Sequence, residues 1–226
     1  MKLNIIDLKN MKYQEALDIQ EALQRKRIEN TVDDCLILVE HPAVLTMGRR
    51  GKQDNVLVPQ ALLERENIDT VWVNRGGDVT YHGPGQIVGY PIFHLAQNNI
   101  GIRVFVEKIQ QTIIDYLAAE HGIAAQSQTG VHTGVWVGDK KICAIGIAVS
   151  RNVTMHGFAF NVNTNLSHFS FINPCGLGVG KVTSLKEISG KEIPYEKAKN
   201  AVAKSFCSVF GAEPVYTEAA ALLGEI

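Results

Sequence analysis

The sequence predicts an α+β fold, a mixed or antiparallel β-sheet flanked by α-helices, and three observations predict it. Apolar residues recur at helical spacing in some stretches and as short runs or alternations in others. Strands are joined by hairpins as well as by helices, and no strand–helix unit keeps a fixed period. A chain of 226 residues with 46% hydrophobic and 20% charged residues can bury one sizeable core. No linker or low-complexity tract divides it, so residues 1–226 are expected to form one domain.

Residues 12–28 carry Tyr13, Ala16, Leu17, Leu23 and Ile28 at helical spacing among charged neighbours, which predicts an amphipathic helix. Cys35 to Glu40 is a near-continuous apolar run, short enough for a buried strand. His41-Pro42 breaks it, because Pro42 excludes the helical region for His41. His41 either lines a pocket there or caps the strand. Pro59 before Gln60-Ala61-Leu62-Leu63-Glu64 predicts a helix with proline in its first turn. Thr70 to Val73 reads as a strand, and so does Ile87 to Leu95, where Pro91 predicts an edge position or a bend. Between them the run Arg75-Gly76-Gly77-Asp78-Val79-Thr80-Tyr81-His82-Gly83-Pro84-Gly85-Gln86 reads as a binding loop. Its glycines let a ligand approach the main chain, and Arg75, Tyr81 and His82 can bond or stack against it.

Helical spacing continues from Arg103 to Glu120, closed by Gly122, and from Pro194 to Phe210, closed by Gly211. Val135 to Val137, Gly138-Asp139 and Lys140 to Val149 predict a hairpin with a type II′ turn. Strict alternation places Lys141, Cys143, Ile145, Ile147 and Val149 on one face and Ile142, Ala144, Gly146 and Ala148 on the other. His156 to Val162 repeats that split into bulky and small faces. Two small faces in phase leave either a ligand groove or a seat for a packed helix. Ser184-Leu185-Lys186-Glu187 fits a capping box opening a short helix.

A formal net charge of −1 gives no global field for nucleic acid or an anionic membrane, so no partner of either kind is expected. The sequence shows no signal peptide and no span of membrane length, which predicts a cytoplasmic protein. Cys35, Cys143, Cys175 and Cys207 lie far apart without a CxxC pair or a histidine at zinc spacing. They are expected to be free thiols, with no metal bound.

The run from Arg75 to Gln86 with Val88-Gly89-Tyr90-Pro91 behind it, Lys140-Lys141-Ile142 leading into Ala144-Ile145-Gly146, and Ile172-Asn173-Pro174-Cys175-Gly176 followed by Lys181-Val182-Thr183-Ser184-Leu185 together resemble the motifs of lipoate-protein octanoyltransferases. The resemblance runs from His41-Pro42 to Leu185. It implies a biotin/lipoate ligase-like catalytic fold and transfer of an octanoyl group from octanoyl-acyl carrier protein. The implied acceptor is a lysine of lipoyl domains, in 2-oxoacid dehydrogenase complexes or the glycine cleavage H protein. It implies Cys175 as the acyl-accepting nucleophile and Lys141 as its cation. Substrate would be bound by Arg75, Gly76, Gly77, Asp78, Val79, Thr80, Tyr81 and His82, with Ala144, Ile145 and Gly146 and with Gly157, Phe158 and Ala159. No cofactor is implied, and no ATP, since an amide is more stable than the thioester.

The residues add their own support. Pro174 and Gly176 set Cys175 in a turn, where a backbone N–H can face a developing oxyanion. Cys35, Cys143 and Cys207 fall in an apolar run, a strand face and a helix. Periodicity alone divides evenly between Lys141 as a functional ammonium and Lys141 snorkelling to water from the strand's first position. The resemblance decides for the former, with Lys181 as the alternative cation. Thr80, His82 and Tyr90 are expected beside the reacting groups or along the acyl chain. Arg49, Arg50 and Lys52 offer a basic patch for an acidic carrier protein. Three other readings compete: an ATP-dependent lipoate or biotin ligase, a non-catalytic acyl-binding domain, and a cysteine hydrolase with His82 or His156 as base.

Overall fold

The computed structural model describes residues 1–173 and 181–224. Strand β1 (Lys2–Asn10) leads into helix α1 (Tyr13–Ile28), whose Tyr13, Ala16, Leu17, Gln20 and Leu23 are buried at helical spacing. β2 (Cys35–Glu40) and β3 (Val44–Met47) lie on either side of the His41-Pro42 break. Then come α2 (Gln60–Arg65), β4 (Asp69–Trp72), β5 (Val79–His82) and β6 (Gln86–Ile92). α3 (Ile102–His121) stops at Gly122, whose φ of 64° only glycine adopts without strain. β7 (Gln126–Gln128), β8 (Gly134–Val137), β9 (Lys140–Ser150) and β10 (Val153–Asn161) form an antiparallel meander. α4 (Leu185–Ser189), α5 (Tyr195–Phe210), β11 (Glu213–Tyr216) and α6 (Ala219–Leu223) follow.

Among the described residues, eight strands make one sheet in the order β11-β1-β2-β6-β10-β9-β8-β7, parallel among its first three and antiparallel beyond them. The fold is thus α+β with a mixed sheet, and helices cover both of its faces. From β2, Leu36 and Leu38 join the core that includes Phe105 and Ile109 of α3 and Val202 and Phe206 of α5. Cys35, Ile37 and Val39 pack with Tyr13, Leu17 and Leu23 of α1 on the other face. Burial on both sides is why the strand reads as an unbroken apolar run. Each such side chain contributes about 1.5–3 kcal/mol.

A second, three-stranded sheet, β4-β3-β5, stands beside the first. It corrects the expectation of a glycine-rich loop: Val79 to His82 of that run form a strand antiparallel to β3. The Arg75 guanidinium ties the turn before it to the same strand, donating to the Thr46 carbonyl at 2.5 Å and to its hydroxyl at 2.9 Å.

Two further expectations change. Pro91 does not mark an edge, since β6 lies between β2 and β10. β10 pairs with β6 only from Phe158 to Asn161. Beyond that, the Thr154 hydroxyl donates to the Pro91 carbonyl and accepts from the Phe93 N–H, at 2.7 and 2.9 Å. A side chain takes over where proline cannot continue the ladder. In β9, strict alternation fails at a bulge: Val135 pairs with Cys143 but Trp136 pairs with Lys141, leaving Ile142 extra. Ile142 and Cys143 are therefore both in the core with α3. Lys141 does not share the face of Cys143 and lines a cavity with Ala144 and Gly146. The hairpin turn itself has Gly138 at φ 59° as a type II′ turn requires, and the Ser184 hydroxyl caps α4 by accepting from the Glu187 N–H at 3.1 Å.

Candidate functional site

A cavity of about 330 Å³ opens between the two sheets. Its outer wall is the glycine-rich run, with Arg75, Gly76, Gly77, Asp78, Val79 and Thr80 facing in, followed by His82 and Gln86. Its inner wall is the small-residue face of the large sheet: Ala144, Ile145 and Gly146 of β9 and Gly157, Phe158 and Ala159 of β10. Glycine is needed at this seam. The Gly76 N–H donates to the Ile147 carbonyl at 3.2 Å, and a Cβ on Gly146 would lie 2.8 Å from the Gly76 carbonyl oxygen. Backbone meets backbone there, which leaves the neighbouring space for a ligand.

Of the described residues that the resemblance assigns to catalysis or substrate binding, Tyr81 alone does not line the cavity. It alternates to the opposite side of β5, packs with Leu45 and Met47, and is hydrogen-bonded through its hydroxyl to His168 Nδ1 at 2.9 Å. Asp78 faces the cavity but is engaged, accepting from the Val79 N–H at 2.7 Å and from Asn55 Nδ2 at 2.6 Å. Lys141 lies on the wall near Thr133, whose carbonyl accepts from its Nζ at 3.3 Å, with Nζ 5.1 Å from the centre of the Trp136 ring. Lys181, the alternative cation, is in an exposed ion pair with Asp139 and does not line the cavity. Cys175 and its neighbours Pro174 and Gly176 lie outside the described residues. The flanking segments reach the site, since Phe169 and Val182 line the cavity.

The floor holds groups that sequence reasoning missed. Tyr13 of α1 and Asn161 at the end of β10 both line the cavity, and nothing in their local sequence distinguishes them from core positions. His82 stacks on the Tyr13 ring with centroids 5.7 Å apart. Its Nδ1–H donates to Gln86 Oε1 at 2.8 Å, and Gln86 Nε2 donates to Asn161 Oδ1 at 2.9 Å. His41 does not line the cavity; its Nδ1–H donates to the Met11 carbonyl at 2.7 Å, so Nε2 accepts from the Tyr90 hydroxyl at 2.8 Å. Burial drives the pKa of His41 down to about 4 and that of His82 well below the usual histidine range, so both are neutral at pH 7. Burial likewise raises Tyr13 to about 12.

His156 is the exception to this pairing. It is 1% exposed, sits at φ 59°, and neither ring nitrogen has a partner among the described residues. Its backbone N–H donates to Gln20 Oε1 of α1 at 3.1 Å. Burial, then the nearby Arg75 and Arg49, lower its pKa to about 4.

The three described cysteines, Cys35, Cys143 and Cys207, are all buried, and burial pushes each thiol above its ordinary pKa. None has the character of a nucleophile. Among the described residues no cluster of three histidine, cysteine or carboxylate groups could hold a metal ion, and no helix is long and apolar enough to cross a membrane.

Comparison with known proteins agrees with this architecture. A solved lipoate-protein ligase A bound with ATP superposes with a TM-score of 0.80 over 99% of this chain and 93% of that one, at 15% identity; that likeness concerns the fold. The Octanoyltransferase of Caldicellulosiruptor saccharolyticus is 50% identical over 213 residues, 94% of this chain and 91% of its own. That of Alkaliphilus metalliredigens is 45% identical over 217 residues, 96% of this chain and 99% of its own. Residues 12–207 match the family model described as the lipoyl protein ligase A/B catalytic domain, and with relatives of this closeness the chain belongs to that family.

Proposed function

We propose that this protein transfers an octanoyl group from octanoyl-acyl carrier protein to a lysine of lipoyl-carrier domains, through a thioester on Cys175 with Lys141 as the cation beside the sulfur. Octanoyl transfer is the activity for which relatives half identical over nearly the whole chain are named. The observation that carries the reading to these residues is the cavity. Ala144, Gly146, Gly157 and Ala159 wall it, and Lys141 shares its lining with Phe169 and Val182, which come before and after the Cys175 stretch. Its volume is at the low end of the roughly 300–1,000 Å³ of small-molecule sites, in keeping with a small acyl group.

A free thiol has a pKa of about 8.5, and lowering it by about two units takes roughly 2.7 kcal/mol, within reach of an ammonium in a partly dry site. The Cys175 thiolate attacks the thioester carbonyl, a C–S bond forms to Cys175, and the carrier's thiolate leaves and takes a proton from Lys141. The acceptor lysine, as a free amine, then attacks the octanoyl-Cys175 carbonyl. The amide C–N bond forms, the C–S bond breaks to return the Cys175 thiolate, and Lys141 recovers a proton from the amine. No ATP is consumed. Both half-reactions belong to the one unit 1–226 in this reading. A free Cys175 thiol would suit a reducing compartment, and the location proposed with this reading is the cytoplasm. The acceptors would be the lipoyl domains of 2-oxoacid dehydrogenase complexes and the glycine cleavage H protein.

Intact mass after incubation with octanoyl-acyl carrier protein and no acceptor tests the reading. Wild type should gain one octanoyl group that hydroxylamine removes, and Cys175→Ala should gain none. Modification of an acceptor domain only in the presence of ATP, without an adduct on either protein, would move the chain to the ligase chemistry.

A further inference from the structure

We propose that Asn161 is a positioning residue for acyl transfer: its side-chain amide, backed by Gln86, holds residues 181–183 in the sheet beside Lys141 and so fixes where the Lys141 ammonium stands. The proposal rests on the octanoyl-transfer reading above. β10 ends at Asn161, and its last pair with β9 joins Phe160 to Cys143. At Lys141, therefore, β9 has no partner from β10. The chain returning at Lys181 takes that place: the Lys141 N–H donates to the Lys181 carbonyl at 2.8 Å, and the Thr183 N–H donates to the Lys141 carbonyl at 2.9 Å.

Asn161 locks this short strand down. Its Nδ2 donates to the Thr183 carbonyl at 3.0 Å, while its Oδ1 accepts from Gln86 Nε2 at 2.9 Å. Gln86 in turn donates to the Tyr81 carbonyl at 3.2 Å and accepts from His82 Nδ1 at 2.8 Å. Asn161 and Gln86 are 3% and 1% exposed. Water does not compete with such bonds, and each fixes the direction of the next. The amide pair thus spans from the glycine-rich wall of the cavity to the strand that flanks Lys141. An apolar side chain could fill the same space but would leave the Thr183 carbonyl unpaired and the strand untied.

The chain supplies its own control. Asn163, two residues on, clamps a different backbone in the same manner, donating to the Ile193 carbonyl at 2.7 Å and accepting from the Ile193 N–H at 3.0 Å. It does not line the cavity. Loss of Asn163 should destabilise the fold as loss of Asn161 does without touching the position of Lys141.

The experiment compares Asn161→Ser and Asn163→Ser with wild type. It measures the pH dependence of Cys175 alkylation by iodoacetamide, read by peptide mass, and kcat and KM for octanoyl loading. Asn161→Ser should raise the alkylation midpoint by about one pH unit and slow loading about tenfold at neutral pH, with KM for the donor unchanged. Asn163→Ser should keep the wild-type midpoint even if its Tm falls as far. An Asn161→Ser protein with the wild-type midpoint, and loading no slower than Asn163→Ser, overturns the proposal. Should Asn161→Ser fail to fold, Gln86→Met removes the backing but leaves the Asn161–Thr183 bond, and a smaller shift in the same direction is expected; no shift overturns the proposal. A wild-type Cys175 that titrates as an ordinary thiol and takes no octanoyl group would sink the transfer reading itself, and this one with it.

Discussion

At the scale of single residues, the site is a set of polar groups whose charge states are dictated by burial. His156 shows this most clearly, because no hydrogen bond to its ring among the described residues offsets its desolvation. Its folded pKa is about 4 against an ordinary 6.5. The unfolded chain therefore binds the extra proton first, and stability is full above pH 6.5 and is lost as the pH falls toward 4. A shift of this size corresponds to about 3 kcal/mol for the one residue. His41, depressed to about 4 by burial, acts in the same direction. Thermal unfolding between pH 7 and pH 4.5 should show Tm falling steeply for wild type and less steeply for His156→Leu; parallel curves would mean that His156 does not carry the effect. Little of this was legible beforehand. His156 and His82 were visible as candidates, but only the fold reveals that one is bonded on its ring and the other bare. Tyr13 and Asn161 were invisible as site residues, since each reaches the cavity from an element whose own pattern is that of an ordinary core.

At the scale of elements, periodic segments were read well and short or irregular ones were not. α1, α3 and α5 follow their apolar spacing to within a residue or two, and the Gly138-Asp139 turn pairs Val137 with Lys140 as expected. β5 was hidden because four residues flanked by glycines carry no period, and its partner β3 is remote in sequence from it. β1, β3, β7 and β11 were missed as well: β7 and β11 are short and largely exposed, β3 is only four residues long, and in β1 the adjacent buried Ile5 and Ile6 break the alternation. The β9 bulge was beyond reach of any strict two-residue rule. Pairing of β10 with β6 depends on a close approach that can be tested directly. A Cβ on Gly157 would lie 1.9 Å from the Gly89 carbonyl oxygen and 2.7 Å from Pro91 Cδ, and neither rigid group can yield. Gly157→Ala should lower the unfolding free energy by about 3 kcal/mol in urea titration, and a loss under about 0.5 kcal/mol would show that the strands are not so tightly apposed.

At the scale of the whole molecule, net charge is close to zero, so any steering of a carrier protein must come from local charge. Arg49, Arg50 and Lys52 are exposed, and Arg50 lines the cavity. Reversing Arg49 and Lys52 to glutamate should raise KM for an acidic acyl carrier donor about tenfold at low salt, with the difference shrinking as salt is added; a salt-independent change would assign the patch to folding and not to docking. The sheet has one further property with a consequence in time. The strands of the large sheet that line the cavity, β6, β9 and β10, are all drawn from residues 86–161. β1, by contrast, takes its outer neighbour from β11, and Met1 and Gly211 are bonded across a separation of 210 residues. Contacts so distant along the chain close late and slowly. As the protein is synthesised, the half of the sheet that lines the cavity can assemble while the opposite edge still waits for its last strand, and that open edge is where a nascent chain would need protection from its neighbours.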